Sequence, residues 1–235
     1  MSLECESKHK SDDFIAPPCR EDIEIIYRDE SLLLINKPSG LLSLSGKNPL
    51  NKDSVHYRLV QNYPTATLLH RLDFGTSGIM LVALNKWVNG LLTKQFQERT
   101  IYKTYTAVLQ GLIERGEGTI DFPIGRGEFP LQKICLSSGK AAHSEYRVLK
   151  RLQKPARTRV IFTPHSGRTH QLRIHSQEIG HPILGCDLYY GKGLDKYDTH
   201  SAYLLSPRLM LHATTLDFDH PVSGERINSV SVCPF

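Results

Sequence analysis

The sequence predicts an α+β domain on a mixed, mainly antiparallel sheet, and three observations carry that reading. Short runs rich in aliphatic, aromatic and β-branched residues recur at 32–35, 79–84 and 102–109, each with the length and composition of a strand. Two longer segments, 54–63 and 86–99, repeat their apolar residues with helical spacing, which gives a helix one buried face. Strands and helices do not alternate strictly, so a doubly wound parallel sheet is disfavoured. At 235 residues, such a domain can bury a core without disulfides or structural metals.

Taken in order, residues 1–20 are polar and carry Pro17-Pro18 without apolar periodicity, so they are expected to be a disordered tail before a single domain over 21–235. Runs at 23–27 and 32–35 flank Arg28-Asp29-Glu30-Ser31 and predict a strand pair. Asp53 or Ser54 caps a helix whose Val55, Leu59, Val60 and Tyr63 share one side, and Pro64 closes it. The next helix turns Val88, Leu91, Leu92 and Phe96 inward, and Tyr102 opens an aromatic strand. Residues 111–130, broken by glycine and proline, read as a loop, either a lid or an RNA-contacting insertion. Strands are expected at 143–149 and 159–163, a helix at 168–179 stopped by Gly180, and strands at 208–218 and 226–232.

Composition narrows the function. No apolar run approaches the roughly 18 residues of a membrane helix, and the first twenty residues lack a signal-peptide core, so no membrane association and a cytoplasmic location are expected. Five scattered cysteines without a C-x-x-C pair argue for reduced thiols and against a zinc ribbon. The net charge of +5 is unevenly spread, with eight Lys or Arg and no acid between Tyr146 and Gln177. Such a stretch fits a polyanionic partner.

The chemistry centres on His70-Arg71-Leu72-Asp73-Phe74-Gly75-Thr76-Ser77-Gly78. A lone carboxylate lies between an arginine and a Gly/Thr/Ser turn, where Asp73 can accept turn N–H groups while its charge faces a cleft. The string contains kinase-like fragments, but a kinase needs two aspartates and a glycine-rich loop. His165, His170 and His175 are spaced by five residues, which sends them to opposite faces of a strand or about 140° apart on a helix, so they make no metal site. Gly125-Arg126-Gly127 is too short for a phosphate loop, and a G-x-S-x-G elbow is missing.

What remains is one acid, separate arginines, a tyrosine-bearing strand and a basic stretch, and here a resemblance emerges. HRLDFGTSG is similar to the H-R-L-D-x-x-T-S-G signature of the RluA family of RNA pseudouridine synthases. Asn36-Lys37-Pro38-Ser39-Gly40-Leu41 resembles the family's N-K-P-x-G-L segment, and Lys103-Thr104-Tyr105-Thr106-Ala107 its K-x-Y-x-A strand. Residues 167–175 resemble G-R-T-H-Q-[IL]-R-x-H, and 180–185 and 208–213 also match in order. One departure is Cys186-Asp187, where the family commonly has Asp directly after the glycine, leaving a role for this acid in doubt.

The resemblance implies a pseudouridine synthase fold, a curved sheet with flanking helices and a central cleft, and isomerisation of uridine without cofactor or metal. Asp73 would start the reaction, either attacking the nucleotide or removing a ribose proton. Arg173 would hold the Asp73 carboxylate, and Tyr105 would stack on the target base. Arg71 would fill the space left by a flipped uridine, with Lys103, Arg168, His170 and Gln171 contacting RNA. With too few residues before Ile23 for the S4 RNA-binding domain of many relatives, the chain most resembles the compact dual-specificity member, which acts on 23S rRNA and a tRNA anticodon stem-loop. A tRNA-only or rRNA-only relative and a noncatalytic RNA-binding module are the rivals. No obligatory protein partner is implied, and a monomer is expected.

Overall fold

The computed structural model describes residues 14–189 and 206–235. Its sheet grows outward from β4, Ser77–Ala83, every residue of which is buried. β2, Leu32–Lys37, pairs with β4 antiparallel. Alternate residues of these two strands serve two cores. Leu33, Ile35, Met80 and Val82 meet Val55 and Leu59 of α1, Val55–Val60. Leu32, Leu34, Ile79 and Leu81 meet Val88 and Leu92 of α2, Lys86–Glu98. Both faces are covered, which explains the unbroken apolar run in the sequence.

On the other side of β4 lies β11, Leu211–Asp219, the one parallel neighbour among the described strands, with His212 opposite Ser77 and Ala213 opposite Gly78. Gly78 has φ +116°, and a Cβ there would stand 2.2 Å from the Ala213 carbonyl oxygen. The close approach therefore requires glycine. The path continues antiparallel through β5, Tyr102–Gln110, β10, Ala156–Pro164, β9, Ser144–Gln153, and β6, Glu117–Ile120. β1, Glu24–Arg28, forms the far edge, β3, Thr67–Leu68, adds to β4, and β12, Arg226–Val230, adds to β11. A separate ribbon joins β7, Ile124–Arg126, and β8, Gln132–Ile134. Helix α3, Gln171–Glu178, places Leu172 and Ile174 in the third core with Ala107, Leu109, Val160 and Phe162.

Three regions differ from the sequence reading. Residues 111–130 are not all loop, since β6 and β7 form there. Neither has an apolar period of its own, and β6 exists because it adds to β9. The last helix starts at Gln171, because His170 before it is left-handed at φ 57°. Of the expected tail, residues 1–13 lie outside the described residues. Residues 14–20 carry no helix or strand but are tied down: Asn51 Nδ2 donates to the Phe14 carbonyl at 2.6 Å, and the Ala16 amide donates to Asn51 Oδ1 at 2.7 Å.

One buried histidine makes the fold sensitive to acid. His212 is 1% exposed. Arg208 Nη2 donates to Ser77 Oγ at 2.6 Å, so the Ser77 hydroxyl donates onward to His212 Nδ1 at 2.8 Å, and Nε2–H faces the Ser231 carbonyl at 3.3 Å. Burial holds this imidazole neutral, its pKa pushed down to about 4. The unfolded chain binds the proton more readily, so this contribution to stability is complete above pH ~6.5 and is lost as pH falls from there towards 4. The share of His212 in the slope should reach up to about 1.4 kcal/mol per pH unit in urea unfolding between these limits, added to that of His70, His170 and His175, whose pKa values burial also lowers. An identical slope in His212→Gln would assign it elsewhere.

Candidate active site

The loop that carries Asp73 is held by its backbone. Ser43 Oγ donates to the Leu72 carbonyl at 2.7 Å and accepts the Leu72 N–H at 3.1 Å. The Phe74 carbonyl accepts from the Gly40 amide at 2.9 Å and from Lys37 Nζ at 3.2 Å, and Ser39 Oγ donates to the Gly75 carbonyl at 2.7 Å. Lys37 is fully buried and also donates to the Pro38 and Leu41 carbonyls. Burial pulls its pKa down to about 7. The Asn36–Leu41 segment is thus a clamp under the Asp73 turn, a role that spacing alone could not reveal.

That clamp changes one expectation. The turn amide of Thr76 donates to the Asp73 carbonyl at 3.1 Å, not to its carboxylate. The carboxylate instead faces a guanidinium and an imidazole from the other half of the sheet. Asp73 Oδ2 stands 3.6 Å from Arg173 Nη1 and 3.9 Å from His170 Nε2. Arg71 is exposed, and its position near the signature acid does not make it the salt-bridge partner, since among the described residues the arginine paired with Asp73 is Arg173.

Arg173, on the first turn of α3, is 4% exposed. Its Nη2 binds Asp187 Oδ1 at 2.5 Å and its Nε donates to Cys186 Sγ at 3.4 Å, while the guanidinium lies 5.4 Å from the centre of the Tyr189 ring. Burial alone would lower its pKa, but Cys186, Asp73 and Asp187 outweigh that and raise it, so the group stays charged. Asp187 is the site residue that the sequence reading set aside. The one-residue shift placing Cys186 after the glycine still delivers the acid to Arg173. The signal was present, namely an acid just past a motif whose arginine needed a second partner.

Tyr189 OH accepts the Gln132 amide at 2.9 Å and bonds His170 Nδ1 at 2.7 Å. Burial pushes the Tyr189 phenol up to about 12 and lowers the His170 pKa. Tyr105 is half-buried where two cores meet, and burial, then the charge of Asp73, raise its pKa. Its phenol therefore keeps its proton at neutral pH.

The RNA-contact expectations divide. Lys103 and Arg168 line a cavity of about 620 Å³ with His70, Arg99 and His165, and no acid lines it. Lys103 has the same parity along β5 as Tyr105, so both project to one face. Asp73, Tyr105 and Arg173 do not line this cavity; it lies alongside them. Gln171 is a correction. It is 4% exposed, and its amide is committed to Ser166 Oγ, the Arg168 amide, the His143 carbonyl and Ser144 Oγ. It builds the turn and does not reach RNA.

The acid-free stretch is also divided by register. Val160 pairs with Ala107 and Phe162 with Tyr105, whereas Arg159 pairs with Val108 and Lys150 with Arg159. Paired residues share a face. Lys150 and Arg159 therefore project away from Tyr105, and only the end of the stretch, with Arg168 and Arg173, reaches the site.

This fold is that of a known enzyme class. The chain belongs to the RNA pseudouridylate synthase family, whose profile matches residues 31–178, and is an isomerase acting on RNA. It is 43% identical over 203 residues to the dual-specificity RNA pseudouridine synthase RluA of Yersinia pestis, covering 85% of this chain and 94% of that protein. The protein of that name from Haemophilus ducreyi is 45% identical over 214 residues, covering 89% and 92%. Among solved structures, human RNA pseudouridylate synthase domain containing 1 superposes with a TM-score of 0.73 at 32% identity, over 93% of this chain and 86% of that one. The expected α+β pseudouridine synthase fold is borne out.

Proposed function

We propose that the chain converts uridine to pseudouridine in both 23S rRNA and a tRNA anticodon stem-loop, with Asp73 opening the reaction. The observation that carries this reading is the Asp73 side chain, 28% exposed, whose carboxylate lies 3.6 Å from the guanidinium of an arginine side chain that is only 5% exposed. The reaction needs an acid whose charge survives in a cleft, and a fixed cation opposes the desolvation that would neutralise it. From that position Asp73 can attack the nucleotide or remove a ribose proton. Tyr105, protonated and facing the same space, stacks on the base. Arg71, exposed and two residues from Asp73, enters the gap left by the flipped nucleotide. Lys103 and Arg168 hold backbone phosphates in the adjoining acid-free cavity. His170 meets the RNA beside Asp73.

Residues 21–235 act as one catalytic unit, as a monomer in the cytoplasm, and the isomerisation itself uses no metal or cofactor. The curated relatives' dual specificity supports two RNA targets for this chain. Purified protein incubated with a 23S fragment and with an anticodon stem-loop should form pseudouridine in both, read by pseudouridine-specific chemistry and primer extension. Modification of one transcript alone would restrict the assignment to one RNA. Free uracil as the product would replace isomerisation with hydrolysis, and binding without modification would leave only an RNA-binding module.

A further inference from the structure

We propose that His143, Glu145 and His165 form a binding site for a divalent cation of the zinc class, with Asp121 as the outer partner of His143. The site is independent of the Asp73 chemistry and lies where β9 begins and β10 ends.

Strand register brings these residues together. Ser144 pairs with Pro164 and Glu145 with Thr163, which sets His143 across from His165, and the His165 amide donates to the His143 carbonyl at 3.0 Å. The two imidazoles lie with ring centres 4.8 Å apart. Glu145, two residues beyond His143, projects from the same face. Its Oε1 stands 3.1 Å from His165 Nε2 and 3.7 Å from His143 Nε2. All three donor atoms lie within 4.8 Å of one another. Ligand atoms around a tetrahedral zinc stand about 3.3 Å apart, so a small side-chain adjustment closes the set.

The surroundings fit a cation better than a chance contact of surface side chains. His143 Nδ1 is hydrogen-bonded to the Asp121 carboxylate. An Nδ1–H committed to a carboxylate leaves the Nε2 lone pair for a metal and raises its basicity. The His143 backbone is fixed on both sides, its amide donating to Ser166 Oγ at 3.0 Å and its carbonyl accepting from Gln171 Nε2 at 3.0 Å. Two carboxylates surround two imidazoles, and among the described residues the ion pairs of Asp121 and Glu145 are with these histidines alone. Two imidazoles and one carboxylate suit zinc, cobalt, nickel or copper over magnesium or calcium. His143 and Glu145 are 36% and 50% exposed, so water can complete the coordination.

A cation here joins the start of β9 to the end of β10, directly before the Ser166–His170 turn that leads into α3 and Arg173. The histidine triplet singled out by its five-residue spacing does not gather: His170 turns to Asp73, and His175 is buried on Ser144 Oγ and the Phe122 carbonyl. The real cluster takes one member from that triplet and the rest from the neighbouring strand.

The test uses the full chain without a histidine tag and with Cys135→Ser, because the Ser138 hydrogen bond lowers the Cys135 thiol to about 7 and makes it a competing ligand. Zn²⁺ titrated by calorimetry at neutral pH should bind one ion per chain with Kd of about 10 µM or tighter. Co²⁺ should give visible bands of a low-coordinate nitrogen–oxygen site, and Zn²⁺ should raise the Tm in a way that chelation reverses. His165→Ala and Glu145→Gln should each weaken binding at least about tenfold, and Asp121→Asn by about tenfold. If His165→Ala fails to fold, Glu145→Gln, a surface change, decides. Absence of binding at about 100 µM Zn²⁺, or affinity unchanged in folded variants, overturns the proposal.

Discussion

Asp73→Asn is expected to reduce isomerisation by at least about ten-thousandfold while RNA affinity stays within about tenfold. The substitution keeps shape and volume but removes the only group at this position able to attack a nucleotide carbon or take a ribose proton. The other acid of the cluster cannot replace it, since Asp187 Oδ1 is bound to Arg173 Nη2. The fold should tolerate the change. The loop is fastened through the Leu72, Phe74 and Gly75 carbonyls and not through the Asp73 carboxylate, so stability should move by less than about 1 kcal/mol. On the proposed function, RNA affinity rests on phosphate contacts from cations elsewhere, Lys103 and Arg168 among them. Single-turnover assays and filter binding on one transcript separate the two effects. Turnover within tenfold of the unaltered chain would remove Asp73 from the reaction, and a parallel loss of binding would make it a structural residue.

What could be read in advance follows a physical divide. β2 and β4 were legible as unbroken apolar runs covered on both faces, β5 by its aromatic and β-branched composition, and α1 and α2 because each buries a face whose period appears in its own residues. β6, β7 and β8 were not, because their partners and not their composition make them strands. The same divide runs through the site. Asp73 and Arg173 lie in recognisable local strings, and the geometry brings them together across the sheet. Gln171 lies in an equally recognisable string, yet its amide is consumed inside the turn. The basic stretch looked like one surface, but alternation along β9 and β10 turns Lys150 and Arg159 to the face opposite Tyr105. Which side a charge faces is decided by register, and a single strand does not carry its register in its residues.

Arg173→Met should be nearly as damaging as loss of the acid, with a different signature. The guanidinium joins Asp73 and Asp187, whose nearest oxygens lie 3.6 Å and 2.5 Å away. Methionine fills similar space and leaves both carboxylates without their fork. Activity should fall at least about a hundredfold, roughly 3 kcal/mol of transition-state stabilisation. The change should also cost about 1–3 kcal/mol of stability, below the usual loss for a fully buried pair because the Asp187 side chain is 61% exposed and can be solvated. Asp187→Asn should have a smaller effect on turnover, since Arg173 still faces Asp73. The discriminating measurement is the cycle of Asp73→Asn, Arg173→Met and the double variant. If the arginine acts through the acid, adding Arg173→Met to Asp73→Asn should lower turnover by far less than a hundredfold, a coupling above about 2 kcal/mol. Additive losses would mean that Arg173 contacts the RNA directly, and the ion pair between loop and helix would lose its claim to organise the reaction.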